Sequence, residues 1–417
     1  MLVQRYQLFP YKHIAAMEEA LIWSVDQVSR NLPWYYRYIE GGVPDTKAVE
    51  WANSTDRYLM SVVGPNNHMM IRVVDYRGDV YNEWLVDWFK IWPDATHLPA
   101  SKVPKMQPGS TLHGLAMLEN GDVIFNIEVL GLFRMTPCGD VVWKLPYRTH
   151  HSIFPDEQGN FWVTGKITHE KSVPEYPNHK PSFHEPTLLR VSPDGEILRE
   201  ISVFELLDKN DLRALLHMVT ANNSQTAVSG DTLHLNDVDV FPSTMEEGLF
   251  RHGDIMISLR NISTVLVFDP ENLTIRYIKT GGFVRQHDPD FLDGNTYSVF
   301  DNNNIAPKAF GQQSRILIVA ADTGDVTTWY EGSVETPFYT NVMGKHEWIG
   351  TDEMLIAEST SGRAFRVNSD GDILWDYFNK VDNDVVGILS DVLLLPDSLS
   401  GLYATAMRDR CKEEPSF

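Results

Sequence analysis

One β-rich unit, written again and again along the chain, constrains the fold more than any other feature. From about residue 55, short alternating apolar segments are separated by Gly, Asn, Asp and Pro. The unit has three marks: a strand led by histidine, an N-G or D-G turn followed by an apolar strand, and a D-G-x-I/V-x-W hairpin. ENGDVIFNIEVLGLFRMTPCGDVVWKL (119–145), EQGNFWVTGK with LLRVSPDGEILREI (157–166 and 188–201), LDGNTYSVFDN with ILIVAADTGDVTTWYEG (292–302 and 316–332) and DEMLIAESTSGRAFRVNSDGDILWDYF (352–378) share this grammar. Glycine supplies the positive φ of tight hairpins, and the alternating apolar residues face the neighbouring unit. Four strands per unit at this period predict a β-propeller. The units fall near 57–87, 110–147, 150–203, 232–280, 285–332 and 344–379, so the expected fold is all-β, a six-bladed propeller with an N-terminal amphipathic helix and helical or loop insertions. The tail VVGILSDVLLLPDSLSGLYATAMR can add the strand that closes the ring and removes an exposed edge.

Residues 14–31 place Met17, Leu21, Ile22, Val25 and Val28 on one face at helical spacing, and predict one amphipathic helix on the outside of the body. NLPWYYRYIEGGVPDTK reads as a linker, which divides the chain into an arm over 1–54 and a propeller over 55–410. Two insertions break the rhythm: 167–186, rich in His and Pro, and 204–231, with an expected helix ELLDKNDLRALLHMV. Long loops on a rigid scaffold are candidate lids.

If first strands line a central channel, His113, His151, His234, His287 and His346 face one axis, an arrangement suited to an anion or a proton. His234 and Asn236 are two apart and share a strand face. Arg260 reads as part of the next strand, among apolar neighbours, where an unpaired guanidinium is costly and wants an anion. The structural alternative pairs it with Asp237 or Asp239. Metal binding is the competing chemistry for clustered imidazoles, and the nearby guanidinium argues against it.

A formal charge of −22 opposes nucleic acid as a partner, since phosphate binding needs a basic surface. The chain has no phosphate loop, zinc-helix motif, nucleophile elbow or dinucleotide fingerprint. The acidic pieces 301–304 and 382–386 read more simply as solvated turns than as calcium sites. The two cysteines, Cys138 and Cys411, exclude a disulfide framework but leave one bridge open. No run of eighteen apolar residues and no signal-peptide pattern occurs. The start MLVQRYQLFPYKHI suits either a segment beside a membrane anchor or an ordinary arm.

HHSIFPDEQGNFWV, LHLNDVDVF, ISLRNISTVLVFD, QHDPDFLDGNTYSVFDN and ESTSGRAFRVNSDGDILWDY together resemble the bacterial arylsulfotransferase (aryl sulfate sulfotransferase) family over roughly residues 110–380, in a shorter, divergent branch lacking an N-terminal β-domain. The resemblance implies a six-bladed propeller that passes a sulfuryl group from a phenolic sulfate donor to a phenol acceptor through a histidine. No cofactor, no metal and no 3′-phosphoadenosine donor is then needed. By motif, His287 resembles the sulfated histidine, with His234 and Arg260 beside it in catalysis. His151, Asn236, His150, His346 and His113 fall to substrate binding, and His150 and His151 compete because a one-residue slip reverses a strand face. An extracytoplasmic location, periplasmic or membrane-tethered, goes with the resemblance. The rival readings are a divergent reaction at the same anion site, a quinoprotein-like or lactonase-like propeller, and a propeller that only binds an anion.

Overall fold

The computed structural model describes residues 32–39, 42–48, 55–218, 228–305, 312–403 and 411. The amphipathic helix expected over 14–31 lies outside the described residues. Within them the chain is all-β: seven antiparallel-dominated sheets, six of four or five strands and one small three-stranded sheet built on Tyr36–Tyr38.

In five of the larger sheets, four consecutive strands lie side by side in chain order, with Thr46–Ala48 added at the outer edge of one and Val228–Gly230 paired to His179–Val191 in another. The strands that start them are Leu112–Met117, Thr149–Pro155, Leu235–Val240, His287–Asp293 and Lys345–Ile349. The sixth sheet is composite. Its order is Leu389–Leu394, Arg57–Val63, Met69–Asp75, Val80–Val86, with Val392 opposite Met60 and Leu394 opposite Tyr58. The strand expected in the tail therefore sits where the other sheets have their histidine-led strand, which is why the segment opening at Arg57 carries no such histidine. These six leading strands pack on one another in cyclic order, Leu112–Met117 against Thr149–Pro155 and onward to Leu389–Leu394, which returns to Leu112–Met117.

The period of two explains how the sheets stack. In Arg57–Val63, Leu59 enters the apolar layer shared with Val123, Phe125 and Phe133 of the following sheet, while Tyr58 and Met60 enter the layer shared with Leu355, Ala364 and Trp375 of the preceding one. Leu266 and Phe268 likewise turn toward Trp162 and Leu188, whereas Val265 and Val267 turn toward Tyr297 and Val319. The inner strands of the larger sheets are thus buried on both faces and read as near-continuous apolar runs, whereas outer strands such as Val141–Leu145 and Thr274–Thr280 are exposed or half-buried.

The insertions are more ordered than loops. Residues 167–186 mostly extend two strands: Phe161–His169 runs antiparallel to His179–Val191 out to the pair His169 and Phe183. Ile167 is paired with Glu185 there. The expected helix in 204–231 is split. Val203–Lys209 is an α-helix capped by Ser202 Oγ, which accepts from Glu205 N at 3.1 Å, and Arg213–His217 is a separate 3₁₀ turn. Between them Asp211 adopts φ +59°, which no helix accommodates. Cys138 and Cys411 form a disulfide across 273 residues. Among the described residues no helix is long and apolar enough to cross a membrane.

Candidate anion site of clustered histidines

The leading strands carry their polar residues at one end, and bulges there decide where each side chain goes. Register breaks occur between His113 and Leu115, Thr149 and Ile153, Leu235 and Asp237, and His287 and Asp290. An extra residue in a strand suspends the simple alternation of faces. His151 and His234 sit at φ +55° and +56°, a left-handed conformation that L residues with a β-carbon seldom adopt. Gly114 at φ +68° lets the chains close up, because a β-carbon there would lie 1.9 Å from the His151 carbonyl oxygen.

Five imidazoles meet as a result. His113 and His151 have ring centroids 4.4 Å apart, His151 and His234 4.9 Å, His150 and His151 5.0 Å, and His151 and His287 6.2 Å. His150 and His151 are not alternatives. The left-handed turn at His151 brings both rings into one cluster, with Nδ1 of each 2.9 Å from the other.

His287 is the most constrained. Asn302 Nδ2 donates to the carbonyls of Thr340 (3.0 Å) and Met343 (2.7 Å), so the amide oxygen must face the histidine. That oxygen lies 2.6 Å from His287 Nδ1, which therefore carries the proton. Nε2 is left with a bare lone pair, buried and without a hydrogen-bond partner among the described residues. Burial first, then the charge of Arg260, hold the imidazole well below its ordinary pKa.

Asn236 is held from one side only, its buried Oδ1 having no hydrogen-bond partner among the described residues. Its Nδ2 donates to Gln286 O at 2.8 Å, which fixes the chain one residue ahead of His287. The shared strand face expected for His234 and Asn236 is lost at the bulge that separates them.

Arg260 is also placed differently from expectation. It opens a 3₁₀ turn, Arg260–Ile262, after the strand Ile255–Leu259, and its amide donates to His234 O at 3.0 Å. The guanidinium makes only long contacts, 3.3 and 3.4 Å, with Asn261 Oδ1, and forms no ion pair among the described residues. Burial and the neighbouring Arg285 lower its pKa from 12.5 to about 10. Asp237 and Asp239 are engaged elsewhere: Asp237 binds Lys345 Nζ at 3.1 Å, and Asp239 accepts from the amides of Phe291 and Val240.

His346 stands apart from the cluster. Its Nδ1 lies 3.0 Å from Asp288, and its Nε2 lies 2.8 Å from Ser298 Oγ and 3.4 Å from Asp290. It belongs to a second layer in which Lys345 joins Asp237 and Asp288. Burial pushes Asp391 and Glu347, nearby, up to about 7.

Four residues not singled out in the sequence complete the histidine layer. Asp231 Oδ2 is 2.8 Å from His234 Nδ1, Lys166 Nζ is 3.7 Å from the same carboxylate, and Glu128 is 3.6 Å from His113 Nδ1. Asn302 is the fourth. Ligand-capable atoms of His113, Glu128 and His151 lie within 4.8 Å of one another, as do those of Asp288, Asp290 and His346, so each group has the donor set for a cation. Around His287, however, the permanent Arg260 cation and the absence of a carboxylate partner among the described residues favour an anion.

No match was found among curated proteins. Solved structures similar to this chain include a protein of unknown function from Bacteroides caccae, at 11% identity and TM-score 0.49, covering 82% of this chain and 99% of that one. A catalytically inactive virginiamycin B lyase from Staphylococcus aureus is similar at 12% identity and TM-score 0.39, covering 85% and 96%. The Swd1 beta-propeller domain of Myceliophteria thermophila is similar at 8% identity and TM-score 0.42, covering 83% and 89%. The model of the arylsulfotransferase (ASST) family matches residues 114–380, well over half of the chain and all of the histidine layer but His113. The chain belongs to the arylsulfotransferase family.

Proposed function

We propose that residues 55–410 form a six-bladed propeller whose axial histidine site moves a sulfuryl group from a phenolic sulfate ester to an acceptor phenol, through a sulfohistidine at His287. The bare, buried Nε2 lone pair of His287 carries this reading. Nε2 attacks sulfur, the sulfur–oxygen bond to the aryl group breaks, and its electron pair leaves on the phenolate. In the second half the acceptor oxygen attacks sulfur and the nitrogen–sulfur pair returns to Nε2. No nucleotide donor enters either half.

Sulfuryl transfer, like phosphoryl transfer, spreads charge over the non-bridging oxygens, so positioned cationic donors supply much of the rate. Arg260 has its donor fork uncommitted to a carboxylate, and the neutral imidazoles around it bring no negative charge to oppose the sulfuryl oxygens. A neutral His287 is required for attack, and burial beside Arg260 favours that state. The disulfide supports an extracytoplasmic setting, where such bonds persist.

The test is intact-protein and peptide mass spectrometry after brief mixing with 4-nitrophenyl sulfate. The expected result is one added sulfuryl group on the His287 peptide, discharged by a phenol and absent from His287→Ala. A variant that still transfers at more than a few per cent of the normal rate overturns the assignment.

A further inference from the structure

Two carboxamide or carboxylate groups stand behind two histidines of the same cluster, and they differ in charge. Behind His287 is the neutral amide of Asn302; behind His234 is the Asp231 carboxylate. The Asp231 carboxylate also accepts from the His234 backbone amide at 3.1 Å, while Asn261 Nδ2 donates to the Asp231 carbonyl at 2.7 Å. Although burial alone would raise it, the His234 contact and then Lys166 hold the Asp231 carboxyl well below its ordinary pKa.

An ionised Asp231 can only accept, and that fixes a direction along three rings. His234 Nδ1–H donates to Asp231, leaving Nε2 as a lone pair. His151 Nε2, 3.3 Å away, must then be the donor to it. His151 Nδ1 is thereby the acceptor for His150 Nδ1–H at 2.9 Å. The open end of the chain is His150 Nε2, which has no hydrogen-bond partner among the described residues.

We propose that the His150–His151–His234 chain anchored on Asp231 is the proton-handling device of this site, with Asp231 as the positioning residue that makes it a base. The proposal rests on the sulfuryl-transfer reading above. As an acceptor oxygen attacks sulfur, its proton passes to His150 Nε2. The Nδ1 proton of His150 moves to His151 Nδ1, and the Nε2 proton of His151 moves to His234 Nε2. The charge ends as a His234 imidazolium against the Asp231 carboxylate, and the nitrogen–sulfur electron pair returns to neutral His287. Run backwards, the same shifts protonate a poor phenolate leaving group. The other charged or titratable groups facing this chain are Lys166, Arg260, His113 and Glu128.

The division of labour follows from the two partners. A carboxylate stabilises an imidazolium and an amide does not. His287 is therefore kept neutral as nucleophile and His234 is able to store the proton.

The test is Asp231→Asn, which keeps an oxygen for His234 Nδ1–H but removes the charge. Sulfation of His287 by 4-nitrophenyl sulfate needs little proton donation and should change less than about threefold. Transfer onward to unsubstituted phenol should fall about 100-fold, the low end of general acid–base catalysis, while transfer to an acidic nitrophenol, already ionised, should fall only a few-fold. His150→Gln, which opens the free end without touching Asp231, should give the same split. Equal losses with both acceptors, or full activity with phenol, overturn the relay. Failure of the wild-type protein to sulfate His287 at all would instead overturn the sulfuryl-transfer reading beneath it.

Discussion

Arg260 gives a prediction in which stability and activity move in opposite directions. Its guanidinium is partly buried without a carboxylate, and its pKa falls from 12.5 to about 10. The sign follows from linkage: a cationic group whose folded pKa is depressed penalises folding at every pH below the folded value, and the penalty fades as pH rises toward 12.5. A fall of that size corresponds to a ceiling of about 3 kcal/mol of folding free energy withheld at neutral pH. Arg260→Met keeps the aliphatic bulk, so urea unfolding at pH 7 should show it more stable than wild type by about 1–3 kcal/mol. Sulfuryl transfer should meanwhile fall about 100- to 1000-fold, as when one transition-state donor is removed. Sulfate at about 100 times its Kd should stabilise wild type by about 2.7 kcal/mol and leave the variant unmoved. A variant destabilised by more than about 1 kcal/mol would show that the guanidinium supports the fold, as a buried partner of an ion pair does, and would refute the reasoning.

The buried imidazoles set an acid limit. His113, His150, His151, His234 and His287 all have lowered pKa values, so the unfolded chain binds protons that the folded one does not. Stability should fall by about 1 kcal/mol per imidazole for each pH unit below about 6.5; unfolding curves that coincide at pH 7 and pH 5.5 would contradict this. Deleting residues 389–417 removes the strand paired with Arg57–Val63 and uncovers Tyr58 and Met60, so the product should be insoluble or lack a cooperative transition. A soluble, cooperatively melting truncation would mean that the ring does not depend on that strand.

The strand segments were legible because each follows the alternation of residues buried between two sheets, as in Val265 through Phe268. The histidines at the head of those strands were legible as a set. Their orientation was not, since left-handed φ at His151 and His234 follows from close approach of neighbouring sheets, a tertiary demand that leaves no period in the sequence. Arg260 was read as strand because its neighbours are apolar, yet Ser263 at φ +48° ends a turn there. Asn302 was hidden in an acidic, Asn-rich stretch that resembles a surface turn, although it is fully buried. Its signal was weak but present: it directly follows the strand Thr296–Asp301, which pairs with the strand His287 begins. Asp231 lies inside the second insertion, and the repeat pattern falls silent at insertions.

The composite sheet has a consequence for biogenesis. Arg57–Val63 leaves the ribosome long before its partner Leu389–Leu394 is made, so that edge waits roughly 15 to 65 s at ordinary elongation rates. During that interval a nascent chain holds an open, adhesive flank, and a second copy on the same message could dock there. Because Leu389–Leu394 also packs against Leu112–Met117, the strand bearing His113, the pocket gains its final wall only once that late strand has emerged. A product stalled or clipped before that strand would accordingly lack the wall as well as being sticky, and holding the flank apart until the strand arrives becomes a task for the cell's chaperones.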